Sequence, residues 1–177
     1  MPRAVVPVLA CLALHGCAPP TYPAPVAHPL LAKPLPGLHH LRALDGQSVD
    51  DAAMAGRPVV VKFFAQYCAP CMTTLPDAER VHEGHKDAVF VGVDEDEGLE
   101  PARALVTRFG ITFPVVHDSG NALSGRFRVA SMPMTFVADR QGTIRWVGGE
   151  GQTGDDLERA VSAAAASPAP AAPDAGP

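Results

Sequence analysis

Charge is thin in this 177-residue chain and aromatic residues are thinner: charged side chains make up 19% of it and aromatics 6%. The formal net charge is −5, and the 14 Lys and Arg residues form no stripe. Nucleic acid is therefore excluded as a partner. Cysteine is scarce too. Of four cysteines, Cys11 and Cys17 lie near the N-terminus, and only Cys68 and Cys71 fall within the apolar part of the sequence. None is left for a structural disulfide framework, so a domain must fold on its hydrophobic core, which 47% hydrophobic residues can supply. No internal repeat is visible. His82 and His85 follow the cysteines at a spacing too short for a zinc finger and are expected on a solvated helix face. His39, His40 and His117 form no ligand pattern. The acidic run Asp94–Glu97, with Glu100, is expected to be a solvated loop and helix start. No metal or organic cofactor is expected.

Ala4–Leu14 is apolar, after a single early charge at Arg3. Its eleven residues suit the core of an export signal and fall short of the ~20 that span a bilayer. The stretch Leu14-His15-Gly16-Cys17 resembles a bacterial lipobox. That resemblance implies cleavage before Cys17, whose sulfur would then carry a lipid. Ala18 behind it would favour the outer membrane. An ordinary cleaved signal or an uncleaved anchor remain the alternatives. The expected organisation is a signal peptide over 1–16 and a lipid-anchored, Pro-rich linker over 17–37. A folded domain over 38–166 and a disordered Ala/Pro-rich tail over 167–177 follow.

Strand and helix signals alternate through the domain. His39–Leu44 with the Asp45-Gly46 turn predicts a small hairpin. Ser48–Ala55 predicts a short helix capped by Ser48. Val59–Ala65 and Ala88–Val93 are apolar runs of the kind found in buried strands. Cys71–His85 is helical in pattern, with a break expected at Pro76. Pro101–Phe109 predicts a helix ended by Gly110. A short strand at Pro114–His117 and a short helix at Asn121–Phe127 follow. Met134–Ala138 and Thr143–Gly148 should pair as an antiparallel hairpin, and Asp155–Ala166 closes the domain as a helix. This order gives an α/β sandwich around a mixed sheet.

Cys68 and Cys71 sit between the first buried strand and the helix after it. Unpaired N–H groups at a helix start stabilise a thiolate, so Cys68 should be acidic and nucleophilic. Cys71, one turn on, can close a ring with it. The pair forms a reversible dithiol/disulfide switch. A static disulfide or half of a metal site are the competing possibilities.

The stretch Phe63-Phe64-Ala65-Gln66-Tyr67-Cys68-Ala69-Pro70-Cys71 with Pro76 resembles the thioredoxin superfamily. Val91–Asp94, Arg108–Val115 and Phe127–Val137 narrow the likeness to the TlpA/ResA-like thiol–disulfide oxidoreductases. The resemblance implies a thioredoxin-like three-layer sandwich with a TlpA/ResA-type central insertion at Gly110–Pro114. It implies that Cys68 attacks, that Cys71 resolves, and that Pro133 is a cis-proline facing them. Met132 would then offer its backbone to a substrate, while Tyr67, Ala69 and Pro70 shape the site. Protein thiols and disulfides are the implied partners, with apocytochrome c or copper-site proteins as examples. A membrane electron donor, a monomeric state and a place on the periplasmic side of a bacterial membrane are also implied. An oxidase or isomerase of the same fold, or a Sco-like copper chaperone using His117, are alternatives. Two positions depart from the family. Lys62 stands where thioredoxins bury an acid, and Thr74 where ResA-like reductases carry Glu. Proton transfer at the second thiol therefore lacks an evident side-chain base.

Overall fold

The computed structural model of the chain describes residues 19–170. The expected signal segment, Cys11, Cys17 and the tail from 171 lie outside the described residues.

The first elements form a small antiparallel hairpin, β1 (Leu41–Arg42) with β2 (Ser48–Val49). A 3-10 turn, Asp51–Met54, follows, and the Asp50 carboxylate caps it by accepting the Ala52 N–H. The expected helix capped by Ser48 is thus corrected: Ser48 pairs with Arg42 in the hairpin, which leaves the next acceptor along, Asp50, to do the capping.

β3 (Val59–Phe64) is buried at every position. It lies at the centre of a five-stranded sheet, parallel to β4 (Val89–Asp94) and antiparallel to β6 (Met134–Ala138). β5 (Val115–His117) extends the parallel side. β7 (Ile144–Gly148) pairs with β6 across the tight turn at Asp139–Gly142. The strand order is β5-β4-β3-β6-β7, so the sheet is mixed as expected.

α1 (Cys71–Gly84) and α4 (Gly154–Ala165) cover one face, burying Leu75, Ala78, Val81, Leu157, Ala160 and Val161 against Val60, Phe64, Val137 and Trp146. On the other face α3 (Ala122–Phe127) brings Leu123 and Phe127 to Val61, Phe63, Val91, Val93 and Phe136. α2 (Leu99–Phe109) crosses from β4 to β5 and ends at Gly110, whose φ of +60° is the left-handed conformation that a helix stop needs. After it, Gly110–Pro114 leads into β5 and buries Ile111 and Phe113.

Three expectations are corrected in this frame. α1 runs unbroken through Pro76. The bond that proline deletes is outweighed by the buried face of Leu75, Ala78 and Val81. His82 and His85 do not lie on a solvated face. The His82 ring packs on Phe90 and Phe113, at 5.1 and 5.6 Å between centroids, and His85 Nε2 meets Glu158 Oε1 at 2.5 Å. The Pro-rich stretch before the domain is not a free spacer where it is described. It lies along the outer edge of β7. The Val26 N–H donates to Val147 O, Ala32 N–H to Ile144 O, Ile144 N–H to Lys33 O, and Leu35 N–H to Gly142 O. Tyr22, Leu30, Leu31 and Leu35 pack against the two faces of the core. Proline lacks an N–H but keeps its carbonyl, and the residues between the prolines supply the donors.

Candidate active site

β3 ends at Phe64, and the chain turns through Ala65–Pro70 into α1, whose first residue is Cys71. Pro70 occupies the N-cap and offers no side-chain cap. The first N–H groups of the helix donate to turn carbonyls instead: Cys71 N–H to Cys68 O at 3.0 Å, Met72 N–H to Ala69 O at 3.1 Å and Thr73 N–H to Pro70 O at 3.4 Å. One of them, the Cys71 N–H, also donates to Cys68 Sγ at 3.2 Å. Cys68 and Cys71 are joined as a disulfide. Cys68 keeps 6% exposure and Cys71 has none, so an incoming sulfur can reach only Cys68.

A groove of about 540 Å³ opens beside Cys68. Tyr67, Cys68, Ala69 and Pro70 line one part of it, and Val129–Met132 another. Tyr67 is 69% exposed at its rim. The Met132–Pro133 bond is cis. Of the residues singled out from the sequence, Cys68, Tyr67, Ala69, Pro70 and Met132 all line the groove, and Pro133 adjoins it next to Met132. Cys17 lies outside the described residues.

Glu95 also lines the groove, and sequence reasoning missed it. The acidic run is only partly the expected solvated loop and helix start: Glu97 and Glu100 are exposed, Glu100 in the first turn of α2, but the acidic residues before them are not. Asp94 and Asp96 are buried because donors meet them there: His117 Nδ1 lies 2.9 Å from Asp94 Oδ2, and Asp96 accepts the Gln66 N–H at 2.9 Å. Burial pushes the Asp94 carboxyl up to about 7, with the His117 hydrogen bond pulling it back and Asp96 adding to the rise. Burial raises Glu95 as well, against the Ser124 hydroxyl that donates to it at 2.6 Å. Tyr67 is raised by burial and by the nearby charges of Glu95, Asp96 and Asp94. The signal that could have exposed this was position. A carboxylate at the C-terminal end of a buried parallel strand lies beside the loop leaving the neighbouring strand, and here that loop carries the cysteines. Among the described residues, no group of three or more His, Cys, Asp or Glu side chains is placed to hold a metal ion.

Lys62 is fully enclosed. Its Nζ donates to Thr74 Oγ1 at 2.9 Å and to Thr135 Oγ1 at 3.4 Å. Burial, against the weaker pull of Asp77, lowers its pKa to about 7.

The arrangement can perform thiol–disulfide exchange. An N–H at the helix start faces the outer sulfur, a groove opens beside it, and a second sulfur lies behind the first. Residues 32–147 match the AhpC/TSA family. The thiol–disulfide oxidoreductase ResA of Bacillus thuringiensis is 27% identical over 118 residues, covering 65% of this chain and 68% of that protein. The ResA of Halalkalibacterium halodurans is 27% identical over 120 residues, with 67% and 68% covered. A thiol:disulfide interchange protein of the thioredoxin family from Chlorobium tepidum superposes with a TM-score of 0.66 at 27% identity, covering 74% of this chain and 94% of that one. On this fold, this cysteine pair and these relatives, the chain belongs to the AhpC/TSA family and is a thioredoxin-fold thiol–disulfide oxidoreductase.

Proposed function

We propose that the protein reduces disulfides in other proteins on the outer side of a bacterial membrane, held there by a lipid on Cys17. The observation that carries the exchange chemistry is the Cys71 N–H aimed at Cys68 Sγ, with Cys68 alone at the surface. Two features support the reducing direction. Pro70 brings no N–H to the turn, so few donors face the Cys68 sulfur, and Glu95 in the same groove opposes a negative charge there. A thiolate stabilised less gives a dithiol that yields its electrons more readily. The groove between Tyr67 and Met132 fits an extended peptide carrying the target disulfide. Precursors of haem and copper proteins, whose cysteines must be reduced before they are loaded, are substrates of this kind. A membrane electron donor would return the pair to the dithiol, and the protein would act as a monomer.

The experiment is capture. Cys71→Ser leaves the attacking sulfur and removes the resolving one, so mixed disulfides should accumulate on Cys68 when the protein meets a periplasmic extract. They should release on addition of dithiothreitol. A Cys71→Ser protein that captures nothing, or a wild-type couple as oxidising as about −120 mV, would contradict the reductase.

A further inference from the structure

A full charge has no ordinary place in a hydrophobic cluster, yet Lys62 is 1% exposed in the middle of β3. It is flanked on its own face by Val60 and Phe64, which pack under α1. Its register partners are Gly92 on β4 and Thr135 on β6. Thr74, the Nζ acceptor on α1, is one turn past Cys71 and in turn donates to Cys71 O at 3.4 Å and Pro70 O at 3.5 Å. The amine thus lies two hydrogen bonds behind the Cys71 peptide, on the core side of the helix. Asp77 of α1 is the charged side chain that favours its ammonium form. β4 and β6 face it with Gly92 and Thr135, and α4 turns Leu157, Ala160 and Val161 into the same cluster. In the disulfide state the sulfurs carry no charge to offset the ammonium. Reduction creates an anion at Cys68, in the loop that leads into α1, whose Thr74 holds the amine.

We propose that Lys62 holds a proton for the dithiol: it is an ammonium while the cysteines are reduced and an amine once Cys68 and Cys71 are joined. Lys62 has this role only if the pair cycles as proposed above. The starting state is a Cys68 thiolate, a Cys71 thiol and a Lys62 ammonium. Cys68 attacks the substrate disulfide. A Cys68–substrate bond forms, the substrate S–S bond breaks, and the first substrate sulfur leaves with the electron pair. Lys62 has lost its anion and releases a proton, which that sulfur takes through solvent. The Cys71 thiol then gives its proton to the Lys62 amine and attacks Cys68. The Cys68–Cys71 bond forms, the Cys68–substrate bond breaks, and the second substrate sulfur leaves with its pair and receives the same proton. Two electrons and two protons pass from enzyme to substrate. This supplies a proton acceptor at the position on β3 where Lys62 stands in place of an acid.

The test is the proton count of reduction. The wild type and Lys62→Met are equilibrated with glutathione buffers from pH 6 to pH 9, and the oxidised and reduced forms are counted by alkylation and mass. The pH dependence of glutathione is common to both proteins. Above pH 7 the wild-type equilibrium constant should move about tenfold more per pH unit than that of Lys62→Met, because one more proton is taken up. Equal slopes throughout would overturn the role of Lys62 and leave the oxidoreductase standing. A wild type that does not exchange with glutathione at all would sink both. The ¹³C shift of Lys62 Cε in the wild type, titrated in each redox state, needs no variant. Its midpoint should be at least one pH unit higher in the reduced protein, and identical midpoints would overturn the assignment.

Discussion

Cys68 and Cys71 share a loop and a helix start but not a solvent environment, and that difference divides their labour. The sequence showed both thiols and their order, because the two-residue spacing after a buried strand is a local pattern. It did not show Glu95, which approaches from β4, or where the head of Lys62 goes. Those depend on register between strands far apart in the chain. Lys62 also has a stability consequence. Its folded pKa, about 7, lies below the ordinary 10.5, so below pH 7 both folded and unfolded chains hold the proton and the folded one bears the full cost of burying it. Between about 7 and 10.5 the unfolded chain holds more protons, so stability rises with pH through that window. Lys62→Met should therefore raise stability at pH 7 by on the order of 3 kcal/mol, in line with replacing a buried charge by an apolar group. The gain should shrink toward pH 10. Urea unfolding at the two pH values reads it, and a gain that grows with pH would contradict the burial of the amine.

At the scale of elements, β3, β4, β6, β7 and the four helices were legible because apolar runs, Gly110 and the Asp139–Gly142 turn are local signals. The course of residues 22–35 was not. Proline-rich composition marks a chain that cannot build its own core, but it says nothing of whether another element lends an edge. β7 has a free edge, and the main-chain bonds from Val26, Ala32, Lys33 and Leu35 close it. A chain beginning at Gly37 should lose about 2–4 kcal/mol, since each such bond contributes ~1 kcal/mol net. It should also self-associate through the bared strand. Urea unfolding and light scattering check this. An unchanged midpoint with a monomeric species would show that the segment merely rests on the surface.

At the scale of the whole molecule, the segment before the domain is docked along the sheet rather than left free. Fixed against β7, residues 22–35 do not act as a flexible tether. No helix among the described residues is long and apolar enough to cross a membrane. The proposed attachment is the lipid on Cys17. Mass spectrometry of the detergent-extracted protein should find an N-terminus at Cys17 carrying diacylglycerol. A chain starting at Met1, or a free thiol at Cys17, would remove the anchor.

Exchange at this site requires the outer sulfur to be ionised near neutral pH and reachable, with the inner one closed off. Alkylation of the reduced protein by iodoacetamide across pH 5–10, mapped by peptide mass, measures this directly. Cys68 alone should react, with a midpoint below the ~8.5 of a free thiol. Labelling that begins at Cys71, or a Cys68 silent until well above pH 8.5, would contradict it.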